Sequence, residues 1–359
     1  MALLWADGFD HYLTGATGRT NMLAGSWAEV FSGHTPETTK PRNSICSLAC
    51  TGAGNSRRVF GSDLSAVGVG GAFWVTTLPT QASKTYYFSL QDSGNVTQVA
   101  LVAGTTGTLE LRLGSITGTV LATSAVCITA GAWHHVEMFW ESATGASGVN
   151  ADGTVIVKVD EATVISLVGN VDNVSTANLH ASQVYIFGNS PVGGATGMYL
   201  DDVFAWDTTT SENNDFLGDK DILPYYTDAD GATVEWTPSS GTDHYEMVNY
   251  SASEPDGDTS YLQAGVNGDV EELEVETIPA SIQNIVAAVM FNVAKKTDAA
   301  ACAFTPALIS NAAVGSGSAH TLTEGYVYYY DPIALDPDTS TAWTAATLGA
   351  AQVRLTRTT

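Results

Sequence analysis

The stretch TGMYLDDVFAWDTTTSENNDFLG, residues 196–218, decides how this chain is divided. Its first half has strand composition, with Met198, Leu200 and Val203 among Tyr199, Phe204 and Trp206, and the adjacent Asp201 and Asp202 break strict alternation. Its second half, TTTSENND, has no apolar period and reads as a loop. The stretch is therefore expected to close one β domain and lead out toward another. That divides the chain into a first domain at 1–208, a linker at 209–227 and a second domain at 228–359.

The rest of the chain fits that division. A chain of 359 residues accommodates two domains with sizeable cores. Glycine is frequent at 35 residues and charged residues make up only 14%, as suits short strands and tight turns. No apolar run approaches the roughly 18 residues of a membrane span, so membrane insertion is not expected. MALLWADGFDHY at the start has no basic region and reaches Asp7 too early for a signal peptide, which predicts folding in a cytoplasm. Net charge is −25, with −8 on residues 1–208 and −17 on residues 209–359. Such a surface repels phosphate backbones and argues against nucleic acid as a partner. Cys46, Cys50, Cys127 and Cys302 lack the partners of a zinc site, and free buried thiols are expected.

Working back from residue 196, strands follow at short intervals. VYIFGN at 184–189 precedes it, and TVIVKVD at 154–160 with ATVISLV at 162–168 reads as a hairpin turning at Asp160-Glu161. In AGAWHHVEMFWE, Trp133, His135, Glu137 and Phe139 face one way and His134, Val136, Met138 and Trp140 the other. GAFWVTT, TYYFSL, TQVALV and LELRL continue the series between 71 and 113, while 10–60 reads as irregular, with strands in NMLAGSWAEVF and ICSLACTG. This pattern predicts an all-β sandwich or jelly roll.

GAWHHVEMFWE, the Asp152-Gly153 turn with TVIVKVD, and YLDDVFAWD, in that order, resemble the laminin-G-like, concanavalin-A-like jelly-roll family over residues 1–208. The opening LLWADGFDHY, with NNDFLGD, DGATVEWTPSSGTDHYEMV and DGDTSYL, is similar to structural proteins of tailed bacteriophages and prophages. Those combine such a domain with a β-rich C-terminal one. The resemblance implies a non-enzymatic virion component, made in a host cytoplasm: a head-, neck- or tail-attached appendage or decoration protein. Its implied partners are other virion proteins, and a homo-oligomer, with a trimer as the candidate, is expected. The alternatives are an adhesin for host surface glycan and, further off, a glycan depolymerase.

The second half reads as a further β sandwich. WTPSSGTDHYEMV gives two strands about a turn, and GYVYYYDPI is an aromatic strand ending at Pro332. Ile285–Ala294 fits a strand or a buried helix, strand being preferred for its Val and Ile content. DPDTSTAWTAATLG predicts one short helix capped at Thr339, Ser340 or Thr341 and stopped by Gly349.

Several constellations carry chemistry. Glu272, Glu274 and Glu276 share a strand face, but the order used by concanavalin-A-like glycosidases is absent, and an exposed acidic strand is expected. His134 and His135 point to opposite faces and cannot chelate one ion together. Asp7, Asp10, Asp201 and Asp202 would meet if LLWADGF paired with YLDDVFAWD; oxygen ligands of that kind suit calcium, against turn capping as the alternative. Laminin-G-like domains sometimes carry calcium there. Asp228, Asp230 and Glu254-x-Asp256-Gly257-Asp258 read as turns, since they lack the full EF-hand pattern. Tyr86, Tyr87, Tyr225 and Tyr226, with Tyr326 and Tyr328–Tyr330, are the candidates for stacking on sugar rings, although most strand aromatics lie in cores.

Overall fold

The computed structural model describes residues 3–25, 27–190, 192–249 and 258–359. The chain divides between Ile222 and Leu223 into two compact units. Among the described residues the first unit carries β1 (Leu3–Asp7), β2 (Trp27–Val30), β3 (His34–Glu37), β4 (Ser47–Cys50), β5 (Gly54–Leu64) and β6 (Ala66–Thr77). There follow β7 (Thr85–Gln91), β8 (Thr97–Ala103), β9 (Leu109–Leu113), β10 (Thr119–Thr123) and β11 (Trp133–Glu141). The series ends with β12 (Gly153–Val159), β13 (Ala162–Val171), β14 (Ala181–Asn189) and β15 (Thr196–Asp207).

These strands form two sheets. One has eight strands in the order β13-β12-β11-β6-β15-β4-β3, with β1 also on β15; the other has seven, β10-β9-β8-β7-β14-β5-β2. Central neighbours such as β6 and β15, or β7 and β14, lie far apart in sequence, and both pairs are antiparallel. This is a jelly-roll sandwich of the concanavalin-A-like kind, all-β as its alternation predicts. Alternate residues of each strand fill the space between the sheets. Phe73 of β6 meets Tyr87 and Phe88 of β7 and Phe187 of β14 edge-on, with ring centroids 4.8–5.3 Å apart. Val67, Val69, Val99, Leu101, Val136, Met138, Val184 and Leu200 are buried around them.

A charged pair is also sealed in this unit. Arg58 is fully buried, its Nη1 lies 3.3 Å from Asp7 Oδ2, and its guanidinium sits 4.4 Å from the Trp5 ring. Asp7 further accepts bonds from Trp27 Nε1, Tyr12 Oη and the Phe9 amide. A buried charge is tolerated when its lone pairs are this fully occupied.

Two local features depart from expectation. Residues 10–60 are not wholly irregular: Gly15–Ala24 is a helix, α1, closed by Gly25, whose amide donates to Asn21 and Met22 carbonyls. Its two glycines and weak apolar period give it no sequence signature. The residues read as a linker do not hang free up to Ile222. Leu217 and Gly218 amides donate to Glu137, and the Ile222 amide donates to Asp202. The β12–β13 hairpin turns at Asp160 and Glu161, whose φ values of 48° and 68° are those of a primed turn made without glycine. The Asp201–Asp202 pair marks a bulge, with the register shifting between Asp201 and Phe204 and Asp202 at φ 50°.

The second unit contains a six-stranded sheet built mainly from Thr227–Val234, Val270–Val275, Gln352–Arg357, Ala303–Ser310 and Ala313–Ser316. Ala288–Ala294 pairs with Val327–Ile333, so the apolar run at 285–294 is strand where it is regular. Ala288, Met290, Leu308, Ile333, Trp343 and Ala351 form its core. Pro332 lies within the Val327–Ile333 strand rather than ending it. The short helix is Ala345–Leu348, and Thr344, not an earlier residue, caps it, because Thr344 and Thr347 satisfy each other's amides.

Candidate functional site

The outer face of the seven-stranded sheet carries one row of side chains in register across six strands. Arg112 of β9 lies opposite Ala100 of β8, Ala100 opposite Ser89 of β7, and Ser89 opposite Tyr185 of β14. Tyr185 lies opposite Arg57 of β5, and Arg57 opposite Glu29 of β2. The inward neighbours of these residues, such as Val99, Leu90, Val184 and Arg58, are buried, which fixes this row on the outside. Its middle is small and its flanks are long. Tyr185 and Ile116 pack against Tyr86, Ala100 and Val102 beside it.

Planar polar groups dominate the row's far end. Arg57 Nη1 donates to Gln183 Oε1 at 2.9 Å and to Asn95 Oδ1 at 3.2 Å. Gln183 Nε2 donates to Asn95 at 2.7 Å and to Gln91 at 3.3 Å. The Arg57 guanidinium sits 5.7 Å from the Tyr185 ring centre, and Tyr185 Oη donates to Glu29 Oε2 at 3.2 Å. At the near end Arg112 Nε donates to Glu110 at 2.9 Å. Burial, then the Glu29 charge, raises the Tyr185 phenol above its ordinary value, so it stays protonated and acts as a donor rather than a base. Amides, guanidinium and phenol side by side on one sheet face can take up the hydroxyls of a polyhydroxylated ligand, and the aromatic ring offers an apolar surface.

The opposite outer face, on the eight-stranded sheet, is largely covered. Gly68 lies beneath Trp206, where a Cβ would come within 2.0 Å of the indole. Phe139 stacks on Trp206 with planes 1° apart, and Phe216 closes over both at 6.0–6.5 Å, with Lys158 4.0 Å from the Phe216 ring centre. Glu137 anchors that cover: its carboxylate accepts from Trp206 Nε1 at 3.0 Å, Leu217 N at 2.9 Å and Gly218 N at 3.1 Å. Burial pushes Glu137 up to about 7 despite those three donors. Arg42 ties the same segment down through Asp219, the Lys220 carbonyl and Asp202.

The four aspartates expected to hold calcium are engaged by protein donors instead. Asp7 is neutralised by Arg58, and Asp202 by Arg42 at 2.9 Å. Asp10 accepts the Ile45 and Cys46 amides at 2.8 and 2.7 Å, and Asp201 accepts the Arg42 amide. Burial raises Asp10, Asp201 and Asp202, with the Asp202 charge adding to the effect on Asp201. Among the described residues no group of three or more His, Cys, Asp or Glu side chains is placed to hold a metal ion. The strands do bring the acids near one sheet end, and arginines and amides occupy most of their oxygens, Asp10 Oδ2 being buried without a hydrogen-bond partner.

The four tyrosines proposed for stacking are divided between the two units, two in each. Tyr87 is buried against Phe73 and Phe187. Tyr86 lies on the outer face beside the row, 8% exposed, its hydroxyl accepting from Asn55 at 2.8 Å. It fits flat because Gly188 faces it, where a Cβ would fall 2.0 Å from the ring. Tyr225 and Tyr226 belong to the second unit, with Tyr226 N bonded to Glu276 at 2.8 Å. His134 bridges Asp160 and Thr129, and His135 stacks on Phe204. The acidic strand is not simply exposed: Glu272 is buried against Arg354, because its strand is interior to the sheet. Glu271 is buried too, bonded to His244 at 2.7 Å. Glu254, Asp256 and Gly257 lie outside the described residues.

Arg57, Gln183, Tyr185 and Arg112 were not singled out by the sequence. Tyr185 and Arg112 sit at outward positions of strands that the sequence shows, but Gln183 lies just before one and Arg57 in the stretch read as irregular, and β5, β14 and β7 are neighbours only through long crossovers, which no local pattern encodes.

No protein-family model and no curated protein matches the chain. Among solved structures it is similar to an alginate lyase, at 16% identity and TM-score 0.38, over 56% of this chain and 96% of that one. It is also similar to an endo-β-1,4-glucuronan lyase from the fungus Trichoderma reesei, at 17% identity and TM-score 0.34, over 49% and 87%. A sialidase matches at 12% identity and TM-score 0.37, over 58% of this chain and 19% of that one. These are likenesses of fold, and no activity passes with them. They correct one expectation: the matched proteins are named as glycan-processing enzymes and not as virion parts, and the reading of the chain as a phage structural component or tail adhesin is withdrawn.

Proposed function

We propose that the first unit is a non-catalytic carbohydrate-binding sandwich that takes a glycan chain across the strands of its seven-stranded sheet. The observation that carries this reading is the registered row from Arg112 to Glu29, with Tyr185 between two guanidiniums and the Gln183–Asn95–Gln91 amides alongside. Stacking on a flat ring supplies affinity and planar hydrogen-bonding groups supply specificity. The absence of chemistry is part of the proposal. Glu29 and Glu110, the carboxylates on this row and beside it, are bound to Tyr185 and Arg112, and Tyr185 is a poor base.

Calorimetric titration of the full chain with a panel of neutral and uronate-containing polysaccharides tests this. At least one should bind, Tyr185→Ala should weaken it by about tenfold or more with an unchanged Tm, and no new reducing or unsaturated ends should appear. Binding to none of the panel, or release of cleaved product, would overturn the proposal.

A further inference from the structure

We infer that the ligand of this face carries carboxylate groups, as a uronate-type acidic polysaccharide does, and that Arg57 receives one of them. The inference rests on the carbohydrate-binding reading above and adds the chemical class of the sugar.

Arg57 is the under-used cation of the row. A guanidinium presents five N–H donors in a rigid fork. The hydrogen bonds described for Arg57 all leave from Nη1 and go to neutral amide oxygens of Gln183 and Asn95. Its Nε is buried and has no hydrogen-bond partner, so a carboxylate reaches it only once the Glu29 side chain beside it swings away. The carboxylate beside it, Glu29, stands 3.7 Å from that Nε, beyond hydrogen-bonding distance, and its side chain is 48% exposed. A loose pair of that kind costs little to rearrange. Arg58, Arg42 and Arg112, by contrast, each meet a carboxylate within 3.3 Å. Arg58 is buried against Asp7, Arg42 faces Asp202 and Asp219, and Arg112 holds Glu110 through both Nε and Nη2.

The geometry selects among anions. The Nε/Nη2 edge of a guanidinium matches the two oxygens of a planar carboxylate in a bidentate pair. Tyr185 lies against the same guanidinium, so a sugar ring bearing the carboxylate would meet the phenol ring while its acid group meets the fork. Gln183, Asn95 and Gln91 then stand beside it for hydroxyl groups. Densely charged polymers suit this face less well. The chain carries −25 overall, and the row offers two cations, each with a neighbouring glutamate. A second anchor lies at Arg112, four strands from Arg57, which at strand spacing is about 19 Å along the row.

The test uses three polymers of one backbone: a uronate polysaccharide, its carboxyl-reduced neutral form, and a sulfated neutral form. The full chain should bind the uronate form at least about tenfold more tightly than the reduced form. Arg57→Ala should erase that preference, weakening the uronate form about tenfold more than it weakens the reduced form. Arg57→Lys should restore little of it, since a point charge does not replace the fork. Raising salt should weaken uronate binding only. Equal affinity for uronate and reduced forms would overturn the inference while leaving carbohydrate binding in place, and so would tighter binding of the sulfated form. A preference that survives Arg57→Ala would also overturn it. Failure of every form would remove the reading on which it rests. Unchanged Tm in the variants separates loss of the contact from loss of the fold.

Discussion

Replacing Glu137 by Gln is expected to make this protein less sensitive to pH and, at alkaline pH, more stable. Glu137 is almost wholly buried and its pKa is pushed up to about 7 from 4.5, burial outweighing three N–H donors. A folded-state pKa above the unfolded value means that the stabilisation is fully present below about 4.5 and is lost as pH rises through about 7. At about 1.4 kcal/mol per pKa unit, the wild-type chain loses about 2–3 kcal/mol from this group between about pH 5 and 8. Gln carries no charge to desolvate. Its Oε1 can still accept from Trp206 and Leu217, but its NH2 cannot accept from Gly218, a loss of about 1 kcal/mol. The variant should therefore be close to wild type near about pH 5 and about 2 kcal/mol more stable near about pH 8. Urea unfolding followed by tryptophan fluorescence at the two pH values measures this. Asp10, Asp201 and Asp202 are also raised by burial but are common to both proteins and cancel in the difference. A variant less stable than wild type at both pH values, by a similar amount, would show that the three hydrogen bonds, and not burial, govern this carboxylate.

Three further outcomes follow from the packing. Arg58→Met leaves Asp7 buried without its cation and should cost about 3–5 kcal/mol in the same assay; a loss under about 1 kcal/mol would mean that Tyr12, Trp27 and the Phe9 amide suffice. Gly68→Ala drives a methyl into the Trp206 indole and should destabilise by about 2 kcal/mol or more, with a changed near-ultraviolet spectrum for that tryptophan. Calcium addition followed by chelation should leave Tm within about 1 °C, because ligand binding to the native state alone would raise it; a reversible calcium-dependent rise would restore a metal role for Asp7, Asp10, Asp201 and Asp202.

Much of the first unit was legible because its strands alternate. AGAWHHVEMFWE shows its two faces directly, and they are the faces it presents: Val136, Met138 and Trp140 inward, His135, Glu137 and Phe139 outward. The Asp201–Asp202 break in alternation is the bulge of β15, and Asp160-Glu161 is the hairpin turn. Long-range pairing was not legible. The row on the seven-stranded sheet depends on β14 lying between β5 and β7, and the burial of Glu271 and Glu272 depends on partners 27 and 82 residues away, His244 and Arg354. The aspartates illustrate the same limit. Proximity of LLWADGF to YLDDVFAWD was readable, but Arg58 and Arg42, which take their charge, come from strands and loops that carry no mark of that role.

The segment from Phe216 to Ile222 has a consequence for taking the molecule apart. By regular structure the first sandwich ends at Asp207, and a seam placed there looks natural. A fragment cut at that seam would lift Phe216 off Trp206 and Phe139, strip Glu137 of two donors and leave Arg42 without Asp219. Its newly bared aromatic face would invite aggregation. A fragment ending after Ile222 keeps its own cover. The unit that can be excised, fused or exchanged is thus set by where the chain stops being needed as a lid, and not by where its last strand stops.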